Sequence, residues 1–204
     1  MTLYIVIITA VISLIALRNG DLMSKLIFDP YIIKHRGQWY RFISSGFLHA
    51  NLMHLFVNMF VLYSFGQETE FYYDHYYGHS RGPLLFVLMY LSAMVAASAS
   101  TYYKYQNSVS YRSLGASGAV SAVVFARILF NPYGKVYLYG ILGLPGVLLG
   151  AGYLAYSYYM SKRQSDNVNH EAHFYGAIYG MLFSIAFKPA LFMGFIYDLL
   201  SVLH

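Results

Sequence analysis

No cysteine occurs in this chain of 204 residues, so disulfides, thiolate nucleophiles and thiolate metal sites are all excluded. Charge is scarce as well. Only 10% of residues are Asp, Glu, Lys or Arg, against roughly 25% in an ordinary soluble domain. A single tryptophan and five prolines complete the list of scarce residues. In their place are 58% hydrophobic residues, a mean hydropathy of +0.49 and 23 tyrosines. That balance points to a bilayer as solvent and to one domain over residues 1–204. The tyrosines cluster beside apolar runs, as in Tyr72, Tyr73, Tyr76 and Tyr77, which suits rings at a membrane–water boundary. A net charge of +5 is read as loop charge facing lipid headgroups, with no nucleic-acid partner.

Apolar runs fall at 2–17, 52–66, 83–103, 117–130, 136–158 and 171–187. They predict an all-α membrane protein of six helical spans. No Lys or Arg precedes the first run and no small-residue cleavage site follows it, so it is expected to be a retained span. A seventh stretch, 190–203, is interrupted by Asp198 and is too short to span; it is expected in the interface. Spans two, four and six run in one direction, so their N-terminal ends share one side of the membrane. Near those ends lie His54 and Asn58, then Ser117, then His170 and His173. The fourth run rises only ~20 Å across a core of ~30 Å, which sinks Ser117 below the near surface. Non-helical backbone at that depth requires a protein-lined or watered cavity.

Ser117 stands in Gly115-Ala116-Ser117-Gly118, at a helix start between glycines. That pattern suits an N-cap serine with close packing, and equally a nucleophile beside free N–H groups that would hold an oxyanion. Serine needs a base to take its proton. Gly176 and Gly180 form a small-xxx-small face, and His173 lies three residues before Gly176 on nearly the same side. If that face meets the Gly118 and Ala122 side of the fourth span, His173 reaches Ser117. Glu171 points elsewhere, so a dyad fits better than a triad. His54 and Asn58 are four apart on one helix face, either as an oxyanion-binding pair or as polar glue between spans. His49 is assigned to the loop junction and His170 to an exposed position. A catalytic metal is disfavoured, because His170-Glu171-Ala172-His173 is one residue short of H-E-x-x-H.

Together these pieces resemble the rhomboid family from the first loop to the sixth span. Gly37-Gln38-Trp39-Tyr40-Arg41 is similar to its first-loop motif, in which Trp39 and Arg41 would shape a membrane-embedded loop. The resemblance implies a six-span bundle that cuts single-pass transmembrane proteins in the bilayer, with no metal or cofactor. It makes Ser117 the nucleophile, His173 the base, and His54, Asn58 and the Ser117 N–H the oxyanion hole. Gly115, Gly118, Gly176 and Gly180 would serve packing. The loop 161–170 would be a mobile cap, and the fifth span, broken at Gly143, Pro145 and Gly146, a lateral gate. One departure stands out. Where many members carry an aromatic ring against the base, four residues after the nucleophile, this chain has Ser121.

The resemblance also implies a multi-pass protein of a bacterial inner membrane with its site on the extracytoplasmic side. The charge count opposes that orientation: nine Lys and Arg lie in loops on the site's side and four on the other. The competing function is a non-catalytic rhomboid-like protein that binds membrane proteins. A transporter or channel is disfavoured, since no line of polar groups crosses the bilayer.

Overall fold

A computed structural model describes residues 1–138, 142–163, 166 and 168–201. The first helix, α1 (Thr2–Leu17), covers the first apolar run end to end. It is inside out by the standards of a soluble protein. Thr2, Thr9, Ser13 and Ala16 face inward, while Leu3, Tyr4, Ile7, Ile8, Val11, Leu14 and Ile15 face outward. Such a helix can lose water from its apolar face only into lipid.

Residues 18–48 fold into three short helices, α2 (Gly20–Leu26), α3 (Pro30–Arg36) and α4 (Arg41–Ser44), then a 3-10 turn at Ser45–Phe47. Asn19 and Asp29 cap α2 and α3 with their side chains. Arg41 is buried at 4% exposure. Its Nη1 donates to the Ser24 and Ile27 carbonyls at 2.9 and 2.6 Å, and its Nε to Gln38 Oε1 at 2.8 Å. It thereby satisfies carbonyls left open at the end of α2. Trp39 stacks on Phe42 (6.1 Å, 9°) and leans on Tyr102, yet keeps much of its surface outward.

The long helices follow: α5 (Leu52–Tyr77), α6 (Gly82–Tyr105) and α7 (Ser117–Phe130). A hairpin of β1 (Lys135–Leu138) and β2 (Leu142–Pro145) leads into α8 (Gly146–Arg163), and the chain continues with α9 (His170–Phe187) and α10 (Ala190–Ser201). Among the described residues, α6 is long and apolar enough to cross a bilayer unaided, and up to three spans qualify when each bent helix pair counts as one. Short α7 is the centre of the bundle. All but one of residues 118–130 are buried, with α5, α6 and α9 packed around it.

Two expectations need correction. The fifth apolar run is not one helix: its first part is the antiparallel hairpin, with Val136 opposite Leu144 and Tyr137 opposite Gly143. Gly143 and Pro145 stop α8 from extending back, and β-branched or aromatic Val136 and Tyr137 favour strand. The helix of the second run outlasts its apolar part, since α5 continues through Gln67–Tyr77, where Gln67, Glu68 and Glu70 favour helix and no Gly or Pro interrupts. The expected cap over 161–170 lies partly outside the described residues, as do positions 202–203 of the last apolar stretch.

Candidate active site

Backbone contact between α7 and α9 sets the site. A Cβ placed at Gly176 would lie 2.1 Å from the Gly118 carbonyl oxygen, and one at Gly180 would lie 2.1 Å from the Ala122 oxygen. Only hydrogen atoms fit there. The two pairs advance together by four residues, so α7 and α9 run parallel in fixed register. One turn back along that seam, His173 Nε2 meets Ser117 Oγ at 2.7 Å. For Nε2 to accept the serine proton, the neutral imidazole must carry its own proton on Nδ1.

Ser117 begins α7 without a side-chain cap on that helix end. The first-turn N–H groups have no partner within the helix and stand at the positive end of its dipole. The loop before it turns at Gly115, whose φ of +127° is open to glycine and strained for other residues. Gly115 also gives room to the His54 ring, since a Cβ there would lie 2.9 Å from His54 Cε1.

His54 lies in the first turn of α5, which Asn51 caps by accepting from the His54 N–H at 2.8 Å. Its Nδ1 faces the Ala50 N–H at 3.4 Å, which leaves Nε2 as the donor toward Gly115 and Ser117. Asn58, one turn on, is buried and spends one amide hydrogen on the His54 carbonyl at 2.9 Å, leaving the other free to donate. Buried His49 lies at the loop junction, with Nδ1 near Ser13 Oγ (3.3 Å) and its ring edge-to-face on His54 at 4.9 Å.

His170 departs from its expected exposure. It is buried, and its Nε2 is 3.1 Å from both Asp166 carboxylate oxygens. That hydrogen bond, with a second from the Val168 N–H, holds Asp166 below the usual carboxylate range. Glu171 turns to Lys104 at 3.8 Å. Among the described residues no carboxylate hydrogen-bonds to His173. The hydroxyl and imidazole open onto a cavity of about 1150 Å³ that also reaches Asn58, Phe65, Tyr153 and Gly150. It follows the gap between α5 and α8, two helices that hardly touch.

A family model, the Rhomboid domain, matches residues 36–190, three quarters of the chain and every residue of this site. The chain belongs to the rhomboid family. Among curated relatives of this rhomboid, Arabidopsis thaliana "RHOMBOID-like protein 12, mitochondrial" is 28% identical over 69% of the chain and 44% of its own length. "Rhomboid-like protein 11, chloroplastic", also from Arabidopsis thaliana, is 30% identical over 74% of the chain and 54% of its own length. "Rhomboid protease AarA" of Providencia stuartii is 25% identical over 77% and 59%. The chain thus spans about half the length of these relatives. Membership makes it an integral membrane protein. Two of these relatives carry plant organelle names, so the expected bacterial inner membrane gains no support.

The aromatic missing at position 121 has a counterpart that sequence reasoning did not find. Tyr153 of α8 stacks on His173 at 6.2 Å and 19°, and its hydroxyl is 2.9 Å from Ser121 Oγ.

Proposed function

We propose that this rhomboid is an intramembrane serine endopeptidase. The observation that carries the reading is the 2.7 Å contact between Ser117 Oγ and His173 Nε2 at the edge of the cavity of about 1150 Å³. His173 takes the serine proton as Oγ bonds to the scissile carbonyl carbon. The negative charge passes to the carbonyl oxygen, which the Ser117 N–H, His54 Nε2–H and the free Asn58 amide hydrogen, all on residues lining the cavity, would hold. The tetrahedral adduct collapses, the C–N bond breaks, and His173 returns the proton to the leaving amine. Water entering the same cavity then attacks the acyl–serine ester, with His173 again as base, and releases the new carboxyl end.

The gap between α5 and α8 supports the substrate class. It is lined by apolar Val57, Val61, Phe65, Leu149 and Gly150, a surface suited to a single unwinding transmembrane segment arriving from lipid. The similarity to a protein named as a protease supports the same reading.

Labelling with a fluorophosphonate probe, together with cleavage of a model single-span substrate, tests it. Wild type is expected to label and cleave, with EDTA without effect, while Ser117→Ala and His173→Ala do neither. Labelling that persists in Ser117→Ala would move the nucleophile elsewhere. A wild-type chain that binds the substrate without cutting it would make this a binding protein.

We further propose that the dyad faces the extracytoplasmic side. Two of the nine basic residues on that side serve the fold, Arg41 for the α2 carbonyls and Arg112 for Asp29 at 3.2 Å. The cysteine-free chain allows a direct test with Val109→Cys, an exposed position in the loop before α7. On membranes whose two faces are addressed separately, an impermeant thiol reagent should reach it from the extracytoplasmic face, and modification only from the other face would reverse the orientation.

A further inference from the structure

The inner face of α8 reads Gly146, Gly150, Tyr153 and Ser157, at steps of four, three and four, which is one stripe of a helix. Three of these residues are small and let α8 lie close to the bundle. A Cβ on Gly150, for example, would be 2.9 Å from Ile128 Cδ1. Tyr153 is the one large side chain in the stripe, and it lands beside the dyad. Its ring lies offset and nearly parallel to the His173 imidazole, at 6.2 Å and 19°, with Phe125 at 6.0 Å on another side. Its hydroxyl is tied to Ser121 Oγ at 2.9 Å. Ser121 is itself buried and one helical turn from Ser117.

We propose that Tyr153 is a positioning residue for His173, supplied by α8 and held in place by Ser121. The proposal rests on the serine-protease reading. An imidazole bonded to one hydroxyl can still swing about two side-chain torsions, and the Tyr153 ring closes off the cavity side of that swing. Ser121 does for the tyrosine what the tyrosine does for the histidine. A small hydroxyl at position 121 thus belongs to the arrangement, because a bulky side chain there would occupy the space of the Tyr153 ring.

Purified enzyme in detergent, measured for fluorophosphonate labelling rate and for kcat and KM on a model single-span substrate, tests this. Tyr153→Phe keeps the ring but loses the bond to Ser121, so its rate should fall only as far as that of Ser121→Ala. Tyr153→Leu should lower kcat and the labelling rate by roughly tenfold, the upper range for one lost aromatic contact, with KM unchanged. Ser121→Ala should lower kcat less, again at constant KM, and it carries the test if Tyr153→Leu fails to fold. The double variant Ser121→Tyr with Tyr153→Ala returns a ring from α7 and should recover labelling over Tyr153→Ala alone. Wild-type kcat in Tyr153→Leu, or a loss confined to KM, overturns the positioning role and leaves the dyad standing. Labelling that survives in Ser117→Ala removes the dyad itself, and the base with nothing to position.

Discussion

A methyl group at Gly176 probes the seam between α7 and α9 more sharply than any change to the dyad itself. On the present backbone it would lie 2.1 Å from the Gly118 oxygen and 2.8 Å from the Gly118 carbonyl carbon. Carbon–oxygen contact needs about 3.3 Å, so the helices must part by about 1.2 Å. His173 stands one turn away on the same helix and moves with it. Its 2.7 Å contact with Ser117 would stretch toward ~3.9 Å, outside hydrogen-bond range. Misplacement on that scale costs on the order of 100-fold in rate, while overpacking costs about 1–3 kcal/mol of stability. Gly176→Ala should therefore fold and still label at least 100-fold more slowly. The assay is fluorophosphonate labelling beside thermal unfolding. Gly152→Ala on α8 is the control, since nothing lies within 4 Å of its added Cβ and alanine favours the helix by up to about 1 kcal/mol. If both alanine variants label at the wild-type rate, the two backbones do not set the distance between hydroxyl and imidazole.

Three further outcomes follow from single contacts. Gly115→Ala combines a φ of +127° with a clash on His54; it should lose about 1–3 kcal/mol of stability, read as a lower unfolding midpoint, along with labelling. Asn58→Ala removes one donor from the proposed oxyanion site and should lower kcat by roughly 10²–10³ at nearly constant KM in substrate cleavage. Arg41→Met leaves the Ser24 and Ile27 carbonyls without their donor. It should cost about 1–3 kcal/mol and speed hydrogen exchange in residues 18–28 first.

Legibility in the sequence followed how local each signal was. The ends of α1 and α7 coincide with their apolar runs because Arg18 and Asn131-Pro132 mark sharp polar boundaries. Hydropathy misjudged α5, since Glu68, Thr69 and Glu70 form helix as readily as the residues before them while avoiding lipid. It also merged the hairpin with α8, as apolar strands and apolar spans look alike without weight given to Gly143, Pro145 and Gly146. The meeting of Ser117 with His173 was readable because two small-residue faces admit few ways to pack. The burial of His170 was not, for it depends on Asp166 folding back from a loop. Nor was Tyr153, whose partners lie 32 and 20 residues away on other helices and become neighbours only once α8 has a rotation.

For the proposed protease, the same packing lets reactivity and substrate access coexist in one small bundle. Ser117 and His173 are held by backbone-to-backbone contact along α7 and α9, which no side-chain rotation can loosen. The opposite wall of the cavity is built otherwise: α5 and α8 hardly touch, and side chains such as Phe65 and Leu149 line the gap. A transmembrane segment that entered there would displace side chains before it displaced helices. Motion of α5 would disturb His54 and Asn58, and motion of α8 would disturb Tyr153, yet neither would change the register of 118 against 176 or 122 against 180. Substitutions that widen the gap, such as Phe65→Ala, should therefore alter KM and substrate choice, whereas those along the seam alter kcat. A Phe65→Ala enzyme with unchanged KM across substrates of different bulk would mean that segments reach Ser117 by another route.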